Sequence, residues 1–103
     1  MKYCSVYITA AGEDEAATIG RTLVEEKLAA CVNILPVKSI YRWEEGIEEE
    51  AEAVMFVKTR QELAEKLIDR VKELHSYDVP CIVSFTIENG NSEYLDWIGE
   101  STG

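Results

Sequence analysis

Histidine is nearly absent from this chain: His75 is the one imidazole in 103 residues. Copper-type coordination by several rings of one chain is excluded on that count, and no nucleophile–base motif is built around the ring. Cysteine is scarce and odd in number, with Cys4, Cys31 and Cys81 and no pair at C-x-x-C spacing. That excludes a disulfide framework, a zinc ribbon and a C-x-x-C metal chaperone, and leaves small apolar thiols inside strands of a reduced protein. Positive charge is short too. Ten basic residues face 20 acidic ones, for a net charge of −10 and a pI near 4.5. Nucleic acid and anionic membrane surfaces need a basic field, so neither is an expected partner, whereas cations are. Apolar runs are short. Leu28 to Val37 holds Asn33 and Pro36 and falls below the ~20 residues of a membrane span. The opening Met1-Lys2-Tyr3-Cys4-Ser5 lacks the apolar stretch of a secretion signal, and a cytoplasmic protein is expected. Glycine and proline are sparse, and no linker, repeat or low-complexity segment interrupts residues 1–103, which read as a single domain.

What is present is enough apolar surface, 47% of residues, to offset chain entropy. Residues 3–9 alternate and are rich in β-formers, a strand that Ala10-Ala11-Gly12 ends. Glu13 to Leu28 reads as a helix with acids in its first turn, where the dipole favours them. Cys31 to Trp43 is a long strand, with Pro36 requiring a bulge or a sheet edge. Glu44-Glu45-Gly46 turns the chain, and Ile47 to Lys58 returns as a third strand. Arg60 to Leu74 is a second helix, with Leu63, Leu67, Val71 and Leu74 on one stripe. Pro80 ends the connection, Cys81 to Ile87 is a fourth strand, and Ser92 caps a short helix through Gly99. The order βαββαβ with a terminal helix predicts an α+β, ferredoxin-like sandwich.

Two features predict association. The strands are apolar on both faces, Val54 and Phe56 alternating with Met55 and Val57, and the helices can cover one face only. The hairpin is also too long: its 13-residue second strand spans ~43 Å, against ~22 Å for a helix of about 15 residues. About half of it must overhang, carrying Ile40, Tyr41 and Trp43 as interface anchors.

Taken together, several segments resemble the CutA family. They are Glu26-Lys27-Leu28-Ala29-Ala30-Cys31-Val32-Asn33-Ile34, Ser39-Ile40-Tyr41-Arg42-Trp43 with Gly46-Ile47-Glu48, Lys58-Thr59, His75-Ser76-Tyr77-Asp78-Val79-Pro80, and Tyr94-Leu95 with Trp97. They cover nearly the whole chain in order. The resemblance implies a cytoplasmic homotrimer of ferredoxin-like fold, associated with tolerance to divalent cations such as copper. It also implies an architecture similar to the trimeric PII signalling proteins, which hold nucleotides between subunits. The family's proposed copper ligands fall here on Ile8, Leu74 and His75, and only His75 is a competent ligand. The candidate metal residues are thus His75 and Cys31, expected at opposite ends of one sandwich and able to meet only between subunits. Thr9, Trp43, Lys58 and Tyr77 are candidates for a pocket between subunits.

No cofactor is required by this reading, and Cu(II) or another divalent cation is the implied ligand. Glu44, Glu45, Glu48, Glu49, Glu50 and Glu52 form an acidic run that matches no defined cation loop and reads as a solvated hairpin tip. The alternative is a PII-like sensor holding a small anion or nucleotide near Lys58 or Arg42. An enzyme such as an acylphosphatase is excluded, since Thr9 to Asp14 offers no Lys or Arg to cradle phosphate. An RNA-recognition domain fails on charge and on its third strand.

Overall fold

In the computed structural model, which describes residues 1–103, the element order is β1 (Tyr3–Ala10), α1 (Glu13–Glu25), β2 (Cys31–Trp43), β3 (Gly46–Arg60), α2 (Ala64–Leu74), β4 (Ile82–Ile87) and α3 (Ser92–Glu100). A single 3-10 turn, Gln61–Leu63, leads into α2. The four strands form one antiparallel sheet in the order β2-β3-β1-β4. The expected α+β sandwich is therefore present.

Alternation along the strands decides which side is the core. Cys4, Val6, Ile8 and Ala10 of β1 and Ala53, Met55 and Val57 of β3 are buried together with Ala16, Ile19 and Leu23 of α1 and Leu67 and Val71 of α2. Gly20 lets α1 approach β2 closely, since a Cβ there would meet Val32 Cγ1 at 3.2 Å. The opposite side of the sheet carries Tyr7 and Phe56, in edge-to-face contact at 5.7 Å, with Val83 and Phe85 beside them. Phe85 is 59% exposed. At one end of this open side, Ile98 and Leu95 of α3 cover Tyr3, Ala30 and Ile87.

Two local predictions are corrected, and an alternative left open at Pro36 is decided. The first helix stops at Glu25 rather than Leu28, because Lys27 takes a left-handed φ of 60°. The Leu28 N–H then bonds the Leu23 carbonyl at 2.9 Å and the Lys27 N–H the Val24 carbonyl at 3.1 Å, a Schellman ending. Pro36 makes no bulge. The β2–β3 register runs unbroken through the Pro36–Ala53 pair, and the proline is tolerated because β2 is an edge strand. The cap of α3 is Asn91, whose Oδ1 accepts from the Glu93 N–H at 3.1 Å, with Ser92 the first helical residue.

The overhang is real. β1 ends opposite Ala53, so the pairs from Val37–Glu52 to Trp43–Gly46 form a two-stranded ribbon with no third strand beside it. The molecule is accordingly 45 Å long and 25 by 21 Å across.

Candidate functional site

Strand geometry sorts the ribbon's side chains onto two faces, because directly paired residues point the same way. Tyr41 pairs with Glu48, Ser39 with Glu50 and Val37 with Glu52, placing Tyr41, Trp43 and three glutamates on one face. Ile40, Arg42, Ile47 and Glu49 occupy the reverse. The expected interface trio is thus divided, with Ile40 turned away from Tyr41 and Trp43.

The acidic face closes over the loop that follows α2. Between them lies a cleft of about 700 Å³, lined by Thr9, Tyr41, Trp43, Glu48, Glu50, Glu52, Tyr77, Asp78, Val79 and Cys81. No lysine, arginine or histidine lines it. None of its carboxylates takes part in an ion pair. The Tyr77 hydroxyl donates to Glu52 Oε2 at 2.8 Å. Burial, then the Glu52 carboxylate, push the Tyr77 phenol well above its usual range. Burial and the neighbouring Glu50 push Tyr41 up as well. The Tyr77 phenol is thereby held as a donor toward the Glu52 carboxylate.

His75 sets the position of the loop. It is 9% exposed. Its Nε2 lies 2.7 Å from the Thr9 carbonyl, and its Nδ1 accepts the Tyr77 N–H at 3.0 Å. A carbonyl can only accept and an N–H only donate, so the ring is fixed as the Nε2–H tautomer with both nitrogens occupied. Glu15 completes the clasp by accepting the Ala11 and Ser76 N–H groups at 2.9 Å each. Partial burial works against its charge, but these hydrogen bonds, the Ser76 hydroxyl and nearby His75 outweigh it and hold the Glu15 carboxyl below its usual range. The clasp ties β1, α1 and the α2–β4 loop together, and Tyr77 extends it to the hairpin.

The other sequence candidates fall elsewhere. Ile8 is wholly buried in the core and Leu74 packs against it. Cys31 pairs with Lys58, which lies opposite Ser5, whereas His75 bonds to Thr9 at the other end of β1. One chain therefore keeps Cys31 and His75 apart, and no three His, Cys, Asp or Glu residues converge on a metal-sized space. Of the four pocket candidates, Thr9, Trp43 and Tyr77 meet in the cleft. Lys58 does not: its ammonium donates to Asn33 at the far end of the sheet. The cysteines are not uniformly interior. Cys4 is buried and Cys31 half-buried, while Cys81 is exposed just outside β4 at the cleft. Sequence reasoning had no means to place Cys81, Glu48, Glu50 and Asp78 in one cleft, since that depends on the loop after α2 meeting the ribbon. Glu15 left no signal beyond its place in an acidic first turn.

The model of the family described as CutA1 divalent ion tolerance protein matches residues 4–101. A Divalent-cation tolerance protein CutA of Thermus thermophilus is 52% identical over 99 residues, covering 95% of this chain and 96% of that one. The structure described as the Periplasmic divalent cation tolerance protein CutA from Archaeoglobus fulgidus superposes with a TM-score of 0.95 at 49% identity, over 96% of this chain and 97% of that chain. CutA1 from Oryza sativa superposes at 0.97 with 38% identity, over all of this chain and 95% of that chain. No helix of the chain is long and apolar enough to cross a membrane.

Proposed function

The chain belongs to the CutA1 divalent ion tolerance family, and on that premise we propose that it serves divalent-cation tolerance as a cation-binding homotrimer rather than as an enzyme. The observation that carries this reading is the cleft, whose carboxylates face solvent with no basic side chain among them. Such a surface concentrates cations and repels anions. That disfavours the PII-like alternative, because a nucleotide would meet Glu48, Glu50 and Glu52 while Lys58 lies elsewhere.

Copper is one of the cations, bound weakly. His75 reaches a metal only by giving up its bond to Thr9 or to Tyr77, and each such loss costs about 1–3 kcal/mol when the abandoned group stays buried. Cys31 reaches the same ion only from a neighbouring subunit. A Cu(II) titration of the native protein and of His75→Ala tests this: affinity falls further in the variant. Equal affinity in the two removes His75 from the site.

The trimer rests on the uncovered apolar side of the sheet, Tyr7, Phe56, Val83 and Phe85, and on a ribbon whose Trp43 is 61% exposed. A bare two-stranded ribbon of this length is only marginally stable in water. Closed association of subunits covers both surfaces, in the cytoplasm as the sequence reading expects, although one structural relative is described as periplasmic. Sedimentation should give three times the chain mass. Trp43→Ala should weaken assembly more than any single change within Glu48–Glu50, because buried aromatic anchors outweigh solvated charges. A stable monomer at micromolar concentration removes the trimer.

A further inference from the structure

We propose that Asn89 is a modification site, at which the chain converts its own side-chain amide into aspartate and isoaspartate with water as the only co-reactant. The asparagines of the sequence are Asn33, Asn89 and Asn91, and only Asn89 is followed by glycine. Without a Cβ, Gly90 leaves its nitrogen uncrowded and its backbone free to turn. Residues 88–91 join β4 to α3 outside any helix or strand, and Asn89 and Gly90 are exposed. Neither the Gly90 N–H nor the Asn89 side chain is hydrogen-bonded. The attacking nitrogen and the carbon it attacks are both unrestrained, so their approach needs only rotation within the loop.

The other two asparagines are held. Asn33 sits within β2 opposite Phe56, accepts the Lys58 ammonium on Oδ1 and precedes the β-branched Ile34. Asn91 caps α3, its Oδ1 accepting the Glu93 N–H at 3.1 Å. The loop also lies clear of the ribbon. It leaves the sheet where Ile87 pairs with Tyr3, at the opposite end of β1, and there α3 covers the strands.

In the reaction the Gly90 nitrogen attacks Asn89 Cγ. The N–Cγ bond forms, the Cγ–Nδ2 bond breaks, and Nδ2 leaves as ammonia with the proton given up by the Gly90 nitrogen, closing a succinimide. Water then opens the ring. Addition at Cγ breaks the N–Cγ bond and yields aspartate. Addition at the Asn89 main-chain carbonyl carbon breaks its bond to Gly90 and routes the main chain through Cγ as isoaspartate. Nothing is oxidised or reduced. Isoaspartate lengthens the main chain by one methylene between Ile87 and the Asn91 cap. Ile87 and Leu95 pack on Tyr3, Ala30 and Ile98, so the longer connection loosens the seat of α3. Each event also adds a negative charge beside Glu88 on a chain already at −10.

Ageing the native assembly in mildly alkaline buffer, followed by peptide mass spectrometry and enzymatic methyl transfer to isoaspartyl carboxylates, tests this. Asn89 should gain about 1 Da, with isoaspartate in excess over aspartate, while Asn33 and Asn91 stay unconverted. Gly90→Ala, whose Cβ would meet Leu95 Cδ2 at 3.4 Å, an ordinary contact, should slow conversion at least about fivefold. Asn89→Gln keeps an amide but needs a larger ring, and should abolish the signal. Amide hydrogen exchange in α3 should be several-fold faster in the aged native protein than in aged Asn89→Gln. Conversion only after unfolding, equal conversion at Asn91, an undiminished rate in Gly90→Ala, or equal α3 exchange in the two aged proteins would each overturn the proposal.

Discussion

Replacing His75 by alanine separates a structural from a metal-binding role. The ring is 9% exposed, donates to Thr9 at 2.7 Å and accepts from Tyr77 at 3.0 Å, with its centroid 4.8 Å from that of Tyr77. Truncation leaves the Thr9 carbonyl and the Tyr77 N–H without partners and removes the ring contact. An orphaned buried group costs about 1–3 kcal/mol, and water reaching one of the two recovers part of it, so the expected loss is about 2–4 kcal/mol. His75→Gln retains a donor and an acceptor on one side chain and should recover roughly half of that. Urea unfolding of the metal-free protein is the assay, at one fixed chain concentration because assembly contributes to apparent stability. A loss below about 0.5 kcal/mol, typical of an indifferent surface site, would show that the clasp does not hold the loop and that the ring is free to act as a ligand.

Lys27→Gly should stabilise the chain by about 0.5–1 kcal/mol, read as a raised melting temperature, because glycine enters the left-handed region without the Cβ penalty. Glu44, with a φ of 54° at the hairpin turn, should respond to glycine in the same direction. Glu15 is held below its usual carboxyl range, so its contribution is complete above the unfolded-state pKa and is lost as pH falls through the lower folded value. Acid titration of stability should therefore be shallower in Glu15→Gln, and an unchanged slope would contradict the clasp. Tyr77 is shifted the other way. The unfolded chain loses its phenolic proton first, so native stability should decline as pH rises past the ordinary tyrosine range, and Tyr77→Phe should make that decline shallower, with Tyr41 accounting for part of what remains.

The parts of this molecule that were legible in its sequence are those decided by alternation within one segment. The two-sided pattern of Val54 to Val57 located the sheet and showed that one side would lie bare, and the length of Cys31 to Trp43 revealed the overhang. What escaped was decided between segments or by a residue in an uncommon conformation. Lys27 ends α1 in a position where glycine is the usual signal, so the sequence ran the helix on to Leu28. The acidic hairpin tip read as a solvated run because a list of glutamates carries no faces. Once paired, Glu48, Glu50 and Glu52 separate from Glu49 by the pleat, and only then does the loop brought by His75 and Tyr77 give them an opposing wall. The same pairing turns Ile40 away from Trp43, although the two are three positions apart in sequence. Glu48, Glu50 and Glu52 share their face with Tyr41, Trp43 and, further along β3, Phe56 on the bare side of the sheet, whereas Ile40 and Ile47 share the reverse with Arg42 and Glu49. In the proposed trimer, cation capture and assembly therefore draw on neighbouring side chains of one face, and a substitution such as Trp43→Ala, at a residue that lines the cleft and anchors the interface, should disturb both.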